Sequence, residues 1–453
     1  MIPDTGIRAE TRILVIYNLG GRLRVQPDLM YSFSDWLDMG RFAHHIAAAT
    51  SLLPQITEPV SIKPEQFHFA EHQPRVRLGR IAAAIATTPR RDGMLILDIK
   101  LERDQTADDV ADFLYATWRW RSAMRVDGIV MLDWLAARIG HVRTDANEPL
   151  VFGQNVHQCV FAGGWFARRL LRRNRSAARI SPDVITVVFR GTMAANRGSH
   201  LDIRRPAALN NAGDTMVAHG RGVSLIVGWK EPVENAFGVA AAGLVNAAGV
   251  VRRVRLQSLE ALEKNEASAA VSASEIRNLI ADLSGRLDQL RLDLSFGIEA
   301  YADIVLIPEL LIESYHSSLR SVASLADSLT NTSRIVDRVA AVIESRHAML
   351  EASVQAYTEG RDKVFATVIA IGSLLALPPT LLLAYFGTNS TNVDSNISIF
   401  NLRHYGIVYL VVWIPFIALA AGAAIMRHRI QPRRPEWRHD EQESAPRPNK
   451  LRT

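Results

Sequence analysis

The chain has 453 residues, 48% of them hydrophobic and 22% charged, and 52 Lys and Arg stand against 46 Asp and Glu for a net charge of +6. Length allows about three domains and an ample core. The composition excludes a collagen, a disulfide scaffold and a disordered chain, and so small a charge over this length argues against a nucleic-acid partner. Cys159 is the sole cysteine, so no intrachain disulfide can form, and no nucleophile signature surrounds it. Met1–Glu10 carries Asp4, Arg8 and Glu10 and no apolar run, unlike a cleavable secretory signal.

Residues 1–245 read as a mixed α/β domain. Thr11–Tyr17, Gly93–Ile99, Asp183–Phe189 and Val223–Gly228 are β-branched runs bounded by turn residues and predict strands. Ala107–Arg121 and Ile129–Ile139 have helical spacing. The alternation predicts a sheet layered with helices. Over 246–330 Gly and Pro become rare, and long helices are expected across Val251–Leu294 and Ile298–Leu329. A stalk helix follows from Thr332 through residue 363. Its residues Val336, Ala340, Ile343, His347, Leu350, Val354 and Tyr357 step by four and three, beside a second seam of Ile335, Val339, Val342, Arg346, Met349 and Ser353. Two adjacent seams suit either packing on neighbours in the same chain or a bundle of identical helices from several subunits.

The apolar residues concentrate near the end of the chain. Val364–Phe386 and Tyr405–Met426 contain no charged residue, and each exceeds the roughly 20 residues that cross a bilayer as a helix. The connection, residues 387–404, is polar. This predicts a C-terminal two-helix transmembrane hairpin below an α/β cytosolic domain and a long helical stalk. Arg361 and Lys363 precede the first span, and Arg427, Arg429, Arg433 and Arg434 follow the second. The positive-inside rule then places both termini in the cytoplasm and the connecting loop outside. Residues 427–453 form a basic cytosolic tail, its arginines a collar around the cytosolic side.

The first span ends Leu377-Pro378-Pro379-Thr380, then Leu381–Phe386, then Gly387-Thr388-Asn389. Here the chain resembles the CorA-type divalent-cation transporter superfamily, whose first membrane helix ends in Pro-x-Thr, six further residues, and Gly-Met-Asn. Pro378, Thr380, Gly387 and Asn389 stand at the matching positions, and Phe386 stands in a place usually held by Tyr. The resemblance in architecture covers nearly the whole chain, while the motif covers about a dozen residues. It implies a homopentamer of the bacterial inner membrane, with the first membrane helix lining a central pore for Mg²⁺, Co²⁺ or Ni²⁺, and with Zn²⁺ in one branch. No cofactor, catalysed reaction or nucleic-acid partner is implied; the partners are further copies of the chain, the bilayer and the transported ion. Gly387, Thr388 and Asn389 become the pore mouth. A ring of amide and carbonyl oxygens there suits a cation that sheds water reluctantly.

Helical geometry gives a second reading of the same span. At 100° per residue, Asp362, Ile369, Ser373 and Thr380 lie within about 20° of one line, with Ala366 and Leu377 about 40–60° to one side. Such a stripe of hydroxyls and apolar residues suits a pore wall that gates by dewetting, and equally a packing interface of small residues. Thr388 replaces the family's Met, Ala384 a common Gly, and Lys363 the Asn usual at the cytosolic mouth. Lys363 falls about 100° from the stripe, which leaves Asp362 as the cation-attracting residue at that end.

The remaining candidates are weaker. The arginine run at 168, 169, 172, 173 and 175 reads as a solvated helix face. His68 and His72 are bracketed by Pro64 and Pro74, against a metal-binding helix. Asp98, Glu102, Asp104, Asp108, Asp109 and Asp112 read as ordinary surface charge, and none is assigned to a metal. The competing function is a membrane-anchored sensor or scaffold whose α/β domain binds a cytosolic partner.

Overall fold

The computed structural model describes residues 8–26, 30–48, 53–102, 105–139, 142–144, 149–173, 180–191, 203–267, 273–295, 307–387 and 397–430. They fall into two compact units, Met1–His347 and Ala348–Thr453.

The first unit is built on strands β1 (Arg12–Arg24), β2 (Met30–Tyr31), β3 (Gln55–Thr57), β4 (Val60–Ile62), β5 (Phe67–Phe69), β6 (Leu78–Thr87) and β7 (Asp92–Leu101). β8 (Met124–Val126), β9 (Ile129–Val130), β10 (Arg143–Thr144), β11 (Phe152–Ala162), β12 (Met216–Gly220) and β13 (Val223–Val227) follow. The main sheet runs in the order β12-β13-β11-β1-β7-β6-β3-β2, with β10 on β1 and β4 on β6, while β5, β8 and β9 form a small separate sheet. β1 lies at the centre, antiparallel to both neighbours, so that Ile13 faces Ile99 on one side and Val160 on the other. β11 and β13 run parallel.

The helices of this unit are α1 (Phe33–Trp36), α2 (Ala43–Ala48), α3 (Ala107–Arg119), α4 (Met131–Ile139), α5 (Gly164–Arg173), α6 (Pro182–Val188), α7 (Glu231–Ala267), α8 (Ala273–Leu294) and α9 (Leu310–Val322). α10 (Leu325–Gly387) begins in this unit and continues into the second. Central strands covered on both faces read as continuous apolar runs, which explains the unbroken burial of Arg12–Tyr17 and Ile81–Ala86. Ile13, Val15 and Tyr17 join one core with Phe113, Leu114 and Val184. On the opposite face α7 lies against β1, β7 and β11. Its small residues allow close approach: a Cβ on Gly238 would stand 2.6 Å from Leu14 Cδ2. α7 is long and apolar enough to cross a membrane, yet 83% of its most apolar window is buried inside the unit. It is a core helix.

The expected strands at residues 11–17, 93–99 and 223–228 are present within longer or slightly shifted limits. Asp183–Phe189 is not a strand: it is α6. Ser181 caps that helix by accepting from Val184 N, Pro182 takes the first turn, and Val184, Val187 and Val188 bury one helical face. N-capping and tertiary burial override the strand preference of a β-branched run. Ile129–Ile139 divides into a two-residue strand and α4. Helical structure begins before residue 246, since α7 starts at Glu231. The run expected over Val251–Leu294 is two helices, α7 and α8, and that over Ile298–Leu329 is broken between α9 and α10, where Ser324 adopts a left-handed φ of 49°. In α10, Thr332, Val336, Val339, Ala340 and Ile343 are buried within the first unit, so this part of the seam packs inside its own chain.

In the second unit, the remainder of α10 and helix α11 (Leu402–Ile430) carry the two apolar segments. Met349 and Tyr357 are 70% and 75% exposed, and exposure of large apolar side chains continues along both helices.

Candidate functional site

α10 passes through Pro378 and Pro379 without ending, and α11 through Pro415. Each proline removes one backbone donor, an arrangement that soluble helices rarely carry and that membrane helices tolerate. On α10, Pro378 and Leu382 are buried and share the helical face that carries Phe386. The Phe386 ring packs edge-on against Tyr405 at 5.1 Å, and Tyr405 is itself 3% exposed. Tyr409, one turn further along α11, lies 6.3 Å from the same ring and donates to the Ile399 carbonyl. The two helices of this unit therefore meet at an aromatic cluster beside the Gly387 end of α10.

The stripe lies on the other side. Asp362, Ala366, Ile369, Ser373, Leu377 and Thr380 are all on α10, and all are exposed. Thr380 is about 200° around the helix from Pro378 and Leu382. Near the Gly387 end the face bearing the aromatic cluster is closed while Leu377 and Thr380 stand outside it, whereas residues 355–373 are exposed on every side. The Thr380 hydroxyl donates to the Ala376 carbonyl at 2.7 Å. Thr367 and Thr358 make the same back-bond, to the Lys363 and Val354 carbonyls. Gly387 is the last residue of α10, while Thr388 and Asn389 lie outside the described residues. Arg427 and Arg429 fall near the end of α11, and Arg433 and Arg434 lie outside the described residues.

α10 has the length and composition to cross a membrane, with a mean hydropathy of 2.0 in its most apolar window and only 12% of that window buried. Ile369, Leu383, Ile407, Val411 and Ile417 are each more than half exposed. α11 is apolar over the shorter stretch Leu402–Ala418, so both helices of this unit expose large apolar side chains.

The first unit holds its ionisable groups differently. Arg12, 2% exposed, donates from Nε and Nη2 to the Asp98 carboxylate at 2.6 and 3.1 Å and from Nη1 to Asn235 Oδ1 at 2.5 Å. Asp98 is thus a structural counter-ion. Arg8 pairs with Glu234 at 2.8 Å, yet burial outweighs the pairing and pushes the Glu234 carboxyl up to about 7. Arg253 pairs with Asp92, and Arg22 with Asp293. In the arginine run, Arg169 and Arg173 both bind Asp183, tying α5 to α6. His72 binds Asp112 at 2.9 Å, and His68 sits in β5. Ser224 Oγ lies between His157 Nε2 at 2.8 Å and His219 Nδ1 at 2.9 Å, and burial pushes both imidazoles down to about 3. Cys159 is fully buried, its sulfur 3.6 Å from the Tyr315 hydroxyl, and burial pushes its thiol up to about 12. No group of three or more His, Cys, Asp or Glu side chains among the described residues is placed to hold a metal ion.

Sequence patterns alone did not disclose a basic cavity in the first unit, lined in part by Arg190, Arg221, Arg252 and Arg255. The available signal was Arg252-Arg253-Val254-Arg255, three cations directly after the mostly apolar stretch of residues 236–251 in α7. No protein-family model, curated protein or solved structure matches the chain.

Proposed function

We propose that the chain is a membrane-embedded divalent-cation transport protein of CorA-like type. In this reading α10 from Val364 to Phe386 and α11 from Tyr405 to Met426 span the bilayer as a hairpin, and the connection between them faces outward. Copies of the chain, five by the resemblance, assemble around the α10 stripe. The observation that supports the reading is the long exposed apolar surface of α10, whose end at Pro378, Leu382 and Phe386 is closed on Tyr405 while Thr380 stays uncovered. The line through Asp362, Ser373 and Thr380 follows from helical periodicity. A line of carboxylate and hydroxyls suits a helix lining an aqueous path, and the motif at residues 378–389 favours that use over a packing interface of small residues. The Gly387-Thr388-Asn389 end then offers oxygen dipoles at the outer mouth, and Asp362 concentrates cations at the inner one.

The transported class is a hydrated divalent ion, Mg²⁺ first and Co²⁺, Ni²⁺ or Zn²⁺ next. The chain catalyses no bond change; it supplies partial dehydration, passage and gating. The test is ion flux into proteoliposomes holding the full chain. Uptake of Mg²⁺ that Asn389→Ala abolishes supports the pore. A correctly inserted protein with no flux of Mg²⁺, Co²⁺, Ni²⁺ or Zn²⁺ refutes it and leaves the hairpin as a tether for the α/β domain.

A further inference from the structure

A cavity of about 580 Å³ opens in the first unit among β11, the turn between β12 and β13, α7, α9 and the start of α10. This is the scale of a small-molecule site. One wall is apolar, formed by Leu244, Val245, Ala248 and Val251 of α7 with Leu319 of α9. The polar side carries Arg190, Arg221, Arg252 and Arg255, and no Asp or Glu among the described residues lines it.

The arginines are fixed by neutral groups. Arg190 donates from Nε to Gln158 Oε1 at 2.6 Å and from Nη2 to the Gly222 carbonyl at 3.0 Å, and its guanidinium lies 5.0 Å over the Trp118 ring. Gly222 is required there: its φ is +91°, and a Cβ would stand 2.7 Å from Arg190 Nη2. Arg255 donates from Nη2 to Thr332 Oγ1 at 3.0 Å, and its buried Nε has no partner in the protein. Asn155, also on the wall, has a buried side-chain N–H₂ without a partner. Arg221 and Arg252, at the exposed rim, make no ion pair among the described residues.

Elsewhere in this unit Arg12 has Asp98 and Arg253 has Asp92, whereas Arg190 and Arg255 have no carboxylate partner among the described residues. Two half-buried cations without a counter-charge, Arg190 and Arg255, are costly, and the unpaired buried donors of Arg255 and Asn155 add to the cost. An anion with several oxygens satisfies both at once. Guanidinium forks match phosphate oxygens in pairs, and four of them suit more than one negative charge.

We propose that this cavity binds a nucleotide-class ligand, a small molecule bearing two or more phosphates and an apolar ring system. Its phosphates occupy Arg190, Arg221, Arg252, Arg255 and the Asn155 amide, and its ring system lies on the apolar wall of α7. The site is independent of the transport reading, since ligand binding is measured without flux.

The experiment is calorimetric titration of the full chain in detergent, with EDTA present to separate anion from metal binding, using ADP, ATP, pyrophosphate and inorganic phosphate as probes. The expected result is saturable ADP binding that weakens with salt. Arg221→Gln/Arg252→Gln, altering only the exposed rim, should weaken it by at least about tenfold, the scale of one lost charged hydrogen bond. Arg190→Gln should weaken it further, with Arg190→Lys restoring part. Equal affinity for pyrophosphate and ADP overturns the nucleoside assignment. No binding of any probe at millimolar concentration, or unchanged binding in a folded rim variant, overturns the anion site.

Discussion

Asp98→Asn tests whether the centre of the first unit is organised around an obligatory ion pair. Arg12 is 2% exposed, and Asp98 gives it two oxygens at 2.6 and 3.1 Å. At a charge separation of about 4 Å and an effective dielectric of about 20, the attraction is about 4 kcal/mol. Removing one partner of a buried pair costs about 3–5 kcal/mol, because the other charge stays buried. Asn retains one acceptor oxygen, and Glu234 and Glu231 also favour the Arg12 cation against its burial, so the loss should lie near 3 kcal/mol. At a urea m-value of about 3 kcal/mol/M this lowers the unfolding midpoint by about 1 M. The assay is urea unfolding of the full chain in detergent, followed by tryptophan fluorescence. Arg12→Met/Asp98→Leu, which removes both charges, should recover most of the loss. An Asp98→Asn midpoint within about 0.2 M of wild type would show that Arg12 is solvated or otherwise neutralised, and the reasoning would fail.

Three further outcomes are expected. His157 and His219 are neutral in the fold and titrate near 6.5 when unfolded, so their stability contribution is complete above that pH and is lost as pH falls toward about 3. One unit below 6.5 removes about 1.4 kcal/mol for each. Glu234, raised to about 7, acts in the opposite sense: its contribution is present below its unfolded value of 4.5 and is lost as pH rises through 7. Glu234→Gln should therefore lose about 2–3 kcal/mol between pH 7.5 and 5.5 while wild type loses less, and equal slopes would sink the assignment. Cys159 should resist alkylation by iodoacetamide in the folded chain and react fully in urea; native-state labelling at an unfolded rate would contradict its burial. Asp362→Asn should lower the low-salt rate of divalent flux, and an unchanged rate would remove Asp362 from the ion path.

The sheet was legible where the chain is apolar on both faces. Thr11–Tyr17 and Gly93–Ile99 announced β1 and β7 because central strands need no polar alternation. Asp183–Phe189 misled for the same reason, since a short β-branched run has no period to separate strand from helix, and the Ser181-Pro182 start was the better signal. The two apolar spans were legible from length alone. The contact that closes α10 at Pro378, Leu382 and Phe386 was not legible, because it depends on Tyr405 of the other helix. The basic cavity was not legible. Its arginines come from α7, from the end of α6 and from the β12–β13 turn, segments more than 30 residues apart that only the fold assembles.

The position of β1 also sets a schedule for folding. Among the described strands it is the first made, but its principal partners are β7 and β11, and β11 begins at Phe152. At about 5–20 residues per second, the roughly 130 intervening residues take on the order of ten seconds to appear. During that interval a central strand of the sheet has at least one unpaired edge, and the unit cannot close until α7 arrives still later. A domain whose founding strand waits longest for its neighbours folds through long-range pairing and is most vulnerable to aggregation while it is being synthesised.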